Sequence, residues 1–308
     1  MITTNKNFVF MAIAKGKETT EGAVIKRYIG VAPVFVKTVN PNKKQMEEIF
    51  KTTLENEPEY VTDTDVNGET VKTARITFIV QPDAKNVGFE VAPMSMSLFV
   101  RNQYRYNKDK TKVQVIDKYG RTAWVTIEQA KNNEIPMYAN GPANLDKDYR
   151  PCYVGEEELT NFLISYLNIP SPMKYNRDEK KWYMVDNPED SECRLDNIGN
   201  FFKGDFSELE QAISWQPNNK VKVMFGVRTS DDNKQYQAVY TQMFLKNGVT
   251  DYSKLDADMQ ERKNNGAYAT TEFSICPFKE YTVEETTFKE ENNVDPFSGP
   301  VGDNPWGL

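Results

Sequence analysis

The sequence predicts an α+β fold: a small antiparallel β-barrel core carrying helical insertions. Three observations predict it. Runs of alternating apolar and polar residues, rich in β-branched and aromatic side chains, lie toward both ends of the chain. Segments with apolar residues at helical spacing lie between them. No fixed-period repeat is present, which excludes solenoids and propellers. At 308 residues, 39% hydrophobic and 27% charged, the chain can bury a substantial core and is not collagen-like, coiled-coil or wholly disordered.

Residues 8–14 form the first expected strand, and residues 27–32 and 34–39 the next, interrupted at Pro33 as at an edge or bulge. Asn40-Pro41 reads as an N-cap followed by proline at the first helical position. The helix runs to about Leu54, with Met46, Ile49, Phe50 and Leu54 on its buried face, so the first insertion spans 41–54. Strands follow at 73–80, 95–106, 112–116 and 122–127, the last two separated by the turn Lys118-Tyr119-Gly120. A second insertion, 155–168, opens on Glu156-Glu157-Glu158, acids that suit the positive end of a helix dipole. It buries Leu159, Phe162, Leu163, Tyr166 and Leu167 and ends before Pro170 and Pro172. A third, 194–214, contains Asp205-Phe206-Ser207-Glu208, a capping-box pattern. Residues 220–228 and 236–244 form a hairpin about the turn 230–233, and a short strand at 273–276 closes a body spanning 1–279.

Charge separates that body from a flexible acidic tail. Residues 280–308 hold seven acids and one base, a net of −6, whereas residues 1–279 hold 38 acids and 37 bases, a net of −1. The whole-chain charge of −7 thus belongs almost entirely to the tail, which is expected to be solvated and disordered.

Several chemistries are excluded or left without a motif. The absence of histidine removes Ser-His-Asp and Cys-His catalysis and every His-ligated metal. Cys152, Cys193 and Cys276 are far apart and form no CxxC pair, which fits a reducing cytoplasm and argues against disulfides or a zinc module. No apolar run is long enough to span a membrane, and the first residues lack a signal peptide's apolar centre. Phosphate-binding glycine loops are absent. The acids Glu156-Glu157-Glu158 and Asp231-Asp232 are explained by a helix start and a turn. The segment from Asp63 begins like a calcium loop, but Ala74 stands at its twelfth position, so it reads as a turn. The chain is therefore expected not to be an enzyme and to need neither cofactor nor metal.

The strongest functional signal is basic and aromatic. Residues 98–125 carry seven bases against two acids, interleaved with rings. Arg101, Arg105, Lys108, Lys110, Lys112 and Arg121 supply cations to follow phosphates; Tyr104, Tyr106, Tyr119 and Trp124 supply faces on which bases stack. Alternation puts Tyr104 and Tyr106 on one face and Arg101 and Arg105 on the other. The competing reading is a half-buried hairpin with a solvated basic edge. Lys26, Arg27 and Tyr28 form a second, weaker basic–aromatic group. In the tail, Asp295, Phe297 and Trp306 combine acid with apolar groups, as a docking motif for a partner or for the chain's own basic surface.

The motifs Arg27-Tyr28-Ile29-Gly30-Val31, Val39-Asn40-Pro41 and Glu57-Pro58-Glu59-Tyr60, with Arg150-Pro151-Cys152-Tyr153-Val154-Gly155-Glu156-Glu157-Glu158-Leu159 and the hairpin at 220–244, resemble a phage protein family. It is that of the single-stranded DNA-binding replication proteins of crAss-like and related large tailed bacteriophages. The resemblance covers most of the chain. It implies an oligonucleotide-binding (OB-like) barrel that coats exposed single strands during phage DNA replication or recombination, in the bacterial host cytoplasm. It also implies a regulatory acidic tail through which replication or recombination proteins dock. Asp295-Pro296-Phe297 is similar to the acidic, Phe-ended tips of bacterial single-strand binders, but eleven residues follow Phe297 here. Zinc ligands found in the helix-destabilising protein of some phages are absent, so no metal is implied. The main alternative is a virion or packaged accessory protein making protein–protein contacts; a carboxylate-dependent nuclease is a distant third.

Overall fold

A computed structural model describes residues 25–87, 91–139, 141–214, 219–275 and 279–283, with backbone alone at 25–27, 86 and 279–283. The expected strand at 8–14, Cys276 and the tail residues Asp295, Phe297 and Trp306 lie outside the described residues. The chain opens with β1 (Ile25–Val39), α1 (Lys43–Phe50), β2 (Val61–Val66), β3 (Glu69–Pro82) and the single turn α2 (Ala84–Val87). Strands β4 (Met94–Tyr104), β5 (Lys112–Asp117) and β6 (Thr122–Thr126) lead into α3 (Ile127–Asn132). Short strands β7 (Met137–Tyr138), β8 (Gly141–Pro142), β9 (Tyr149–Pro151) and β10 (Tyr153–Val154) precede α4 (Glu156–Tyr166). Next come β11 (Met173–Asn176), β12 (Lys181–Met184), two 3₁₀ segments (Pro188–Ser191 and Ile198–Lys203) and α5 (Ser207–Ser214). Then follow β13 (Lys220–Thr229), β14 (Gln235–Lys246), α6 (Ser253–Asn264), β15 (Thr271–Phe273) and β16 (Lys279–Val283). The class is α+β with mostly antiparallel strands, as the patterning predicts.

The chain divides into two compact units, one of residues 1–59, 77–97 and 220–308, the other of 60–76 and 98–219. In the first unit the second half of β3 lies beside β1, β1 beside β13, and β13 beside β14. Strand β1 runs unbroken through Pro33 and changes partner at Gly30: Ile25–Ile29 pair with β16, whereas Gly30–Phe35 pair with β13. Gly30, where the partner changes, has φ 139°, a conformation that favours glycine. At this fork the ladder would leave backbone groups of Tyr28 without partners. Gln237 of β14 meets them: its Oε1 accepts from Tyr28 N at 2.9 Å, and its Nε2 donates to Tyr28 O at 2.6 Å and Gly226 O at 2.8 Å. Strand β16 begins at Lys279, so residues 280–283, read from the sequence as the start of the tail, pair with β1.

Two helices cover this unit's sheet. Met46, Phe50 and Leu54 pack on Ile79 with Ile49 beside them, the apolar face read from the sequence. The cap differs: Asn42, not Asn40, caps α1, in a capping box with Gln45. Asn40 instead takes φ 43° and accepts a hydrogen bond from Thr77 N on β3 at 2.7 Å. Leu255 and Met259 of α6, an element without a clear periodic signal, bury against Met224, Tyr240 and Phe273.

In the second unit β2 and the first half of β3 form a hairpin about Asn67-Gly68, both at positive φ, so the segment that begins like a calcium loop is strand and turn. Strand β5 lies between β6 and β9, and Val113, Val115, Val125 and Tyr149 form its core. Helix α4 buries Leu159, Phe162, Leu163 and Tyr166 as expected, whereas Leu167, expected on the same face, is the C-cap and only half-buried. It begins at Gly155, with φ 88°, where a Cβ would stand 1.8 Å from Phe99 O. The expected capping box at Asp205 is not formed: Asp205 accepts from Ser207, while Glu208 accepts from Asp196 N and Asn197 N and ties α5 to the preceding loop.

Candidate nucleic-acid interface

The end of β4 and the connection into β5 carry most of the predicted residues, all in the second unit. The chain reverses at residues 107–112 through Asn107 N to Lys112 O and Lys110 N to Asn107 O, with Lys110 at φ 54°. Tyr106, just past the end of β4, forms an isolated antiparallel bridge with Val113 of β5. Tyr104 and Tyr106 are each 41% exposed, a large value for rings on a strand. Tyr104 leans on Tyr153 with ring centroids 5.0 Å apart, and Tyr153 meets Phe202 edge-on at 5.4 Å. A ring backed in this way loses little rotamer freedom when a flat ligand stacks on its open face.

The cations divide into two groups. Arg105 Nη1 donates to Glu157 Oε2 at 2.9 Å, and Gln114 and Thr122 donate to the same carboxylate at 2.8 and 3.0 Å. Arg121 is committed to Asp117, which is fully buried and accepts from Arg121 Nε at 2.8 Å, from Arg121 N and Tyr119 N, and from Asp146 N. Tyr119 is itself buried, and Lys118 Nζ and the Arg121 guanidinium each lie over its ring, 5.2 and 4.9 Å from its centre. Lys118 pairs with Glu192 at 3.1 Å, and that hydrogen bond pushes its pKa upward. Tyr119 and Arg121 therefore build the β5–β6 turn. Arg101, Lys108, Lys110 and Lys112, by contrast, have no carboxylate partner among the described residues. Arg101 is half-buried, and burial pushes its pKa down. Two positions before it on the same face of β4, Phe99 is 40% exposed. Trp124 is half-buried on β6, opposite Gln114.

The second predicted group is split. Lys26 and Arg27 are backbone positions of β1 paired with Thr282 and Tyr281, and their side chains lie outside the described residues. Tyr28 is buried in the first unit, edge-on to Phe225 at 5.7 Å, and its hydroxyl donates to Val31 O. Its ring is not presented for stacking.

The acids at the start of α4 do more than face a helix dipole. Glu156 is 1% exposed and takes a two-pronged bond from Arg150, at 3.0 and 2.6 Å, plus Tyr153 N at 2.9 Å. Burial lowers the Arg150 pKa, but the Glu156 bonds outweigh it and the net shift is upward. Among the described residues no group of three or more His, Cys, Asp or Glu is placed to hold a metal ion, and no helix is long and apolar enough to cross a membrane.

One exposed basic–aromatic element carries no strong signal in the sequence: the hairpin of β11 and β12. Tyr175, Trp182 and Tyr183 are exposed on it, with Lys174, Arg177, Lys180 and Lys181 around them. Its turn contains no glycine or proline, so the usual punctuation is missing. Only the density of bases and rings between 173 and 184 could have flagged it. Comparison with known families, curated proteins and solved structures finds no match.

Proposed function

We propose that this chain is a single-stranded DNA-binding protein, not an enzyme, that coats exposed strands during phage DNA replication or recombination in the host cytoplasm. The observation that carries the reading is one strand end: Tyr104 and Tyr106, exposed at alternate positions, run directly into Lys108, Lys110 and Lys112, which have no carboxylate partner among the described residues. Flat faces for bases beside free cations for phosphates are what sequence-tolerant single-strand binding needs. The half-buried Arg101 beside exposed Phe99 adds to it. The antiparallel sheet, whose first strand changes partner at Gly30, supports the OB-like part of the reading, and the family resemblance supports the phage context. The acidic tail serves on this reading as a competitor for the basic surface or a dock for replication proteins.

Fluorescence anisotropy with a labelled poly-dT oligonucleotide tests it. The chain is expected to bind at low salt and to weaken steeply as salt rises, because released counterions drive association. Absence of binding, both by the whole chain and by a chain ending at Val283, refutes the proposal. That truncation removes the tail and keeps β16.

A further inference from the structure

The β11–β12 hairpin is an arm with two unlike faces. Its register pairs Met173 with Met184, Lys174 with Tyr183, Tyr175 with Trp182 and Asn176 with Lys181. Cross-strand partners point to the same side of a ribbon, so Tyr175 and Trp182 share one face with the two methionines, while Lys174 and Lys181 share the other. The Tyr175 and Trp182 rings touch at 5.1 Å between centroids, and Trp182 remains 63% exposed. The strands form a two-stranded sheet of their own, and such a ribbon is marginal in water unless something holds it. Here the turn is held locally. Asn176 Oδ1 accepts from Asp178 N at 3.0 Å and Glu179 N at 3.2 Å, Asn176 Nδ2 donates to Glu179 Oε1, and the Tyr183 hydroxyl donates to Glu179. The base is closed by Val185 N to Pro172 O at 2.9 Å. The arm is thus built to stay formed while presenting its rings to solvent.

Charge selects the occupant. The arm holds four bases against two acids, and Lys174, Arg177, Lys180 and Lys181 have no carboxylate partner among the described residues. One of the two acids, Glu179, is already taken up in the turn. Both edges of a two-stranded ribbon are open and its strands lie about 5 Å apart, so long lysine side chains rooted on the back face can reach round those edges toward phosphates that flank the front face. An anionic chain with flat faces matches this surface; a merely apolar protein face does not use the four cations. We propose that the Met173–Met184 hairpin is a base-stacking arm, in which Tyr175 and Trp182 stack bases of single-stranded nucleic acid and the surrounding lysines and arginine face its phosphates. This rests on the single-strand-binding reading above and adds to it a binding region separate in sequence from residues 98–125.

The test uses the full chain, a labelled poly-dT oligonucleotide, and the variants W182A, Y175A, W182F and K174Q/K181Q. Unchanged thermal midpoints establish that each variant is folded. Trp182→Ala and Tyr175→Ala are expected to weaken binding about fivefold or more each with the salt slope preserved, and Trp182→Phe to restore most of the affinity. The lysine pair variant is expected to lower the slope of log affinity against log salt by about 0.7 for each phosphate that is no longer neutralised. Salt-dependent binding by the wild-type chain with unchanged affinity in W182A and Y175A overturns the arm and leaves the single-strand reading standing. No binding by the wild-type chain removes both. A change in sedimentation of W182A without any change in oligonucleotide affinity also overturns it, and makes the arm an interface between copies of this chain.

Discussion

Glu157 is the point at which the fold restrains the proposed interface, and replacing it by glutamine isolates that restraint. The carboxylate accepts from Arg105, Gln114 and Thr122, and both it and Arg105 are about one-third exposed, at 30% and 33%. Glutamine keeps one oxygen as acceptor and removes the charge that neutralises Arg105. Because the pair is partly solvated, the stability cost is expected to be about 1 kcal/mol, not the several typical of a broken buried pair. Arg105 then becomes one more cation beside Tyr104 and Tyr106. Neutralising one further phosphate on a single strand contributes about 0.7 to the salt slope, or about fivefold in affinity at 0.1 M salt. Anisotropy titrations of E157Q and wild type between about 50 and 200 mM salt measure both quantities. The expected result is tighter binding that converges on wild type as salt rises. Equal slopes and equal affinities, in a variant shown to be folded, would refute the placement of Arg105 beside bound phosphate.

Other predictions concern the frame that holds the site. Glu156→Ala strips a nearly inaccessible partner from Arg150 and should destabilise the chain by about 3–5 kcal/mol in urea titration, several times the effect of E157Q. Gly155→Ala drives a Cβ into Phe99 O and forces a non-glycine residue to φ 88°; the expected loss exceeds about 3 kcal/mol, and a wild-type melting temperature would contradict the packing at the start of α4. Burial, with a smaller contribution from Tyr252, pushes the Tyr28 hydroxyl up to about 12, against about 10 in an unfolded chain. The folded chain keeps that proton while the unfolded chain releases it, so the contribution is complete below pH 10 and lost as pH climbs from about 10 toward 12. Tyr28→Phe should flatten that part of the stability–pH curve, measured as the urea midpoint.

Local chemistry determined much of the fold. The apolar spacing of Met46, Ile49, Phe50 and Leu54, the turn at Lys118-Tyr119-Gly120 and the alternation on either side of residues 230–233 each specify an element through neighbours in the chain. The opening at Gly155 and the basic–aromatic stretch at 98–125 were legible for the same reason. What sequence could not decide was which cations remain available. Arg105 is neutralised by Glu157 from 52 positions away and Lys118 by Glu192 from far along the chain, while Lys108, Lys110 and Lys112 are left without a carboxylate. Tyr28 and Tyr119 look as suited to stacking as Tyr104, yet burial removes the first two and exposure keeps the third. The β11–β12 arm is not legible in the sequence because its turn is closed by the Asn176 side chain and a left-handed Lys180, not by glycine or proline. Composition placed charge and rings along the chain; pairing and burial, which depend on residues distant in sequence, selected the few that face solvent unpaired.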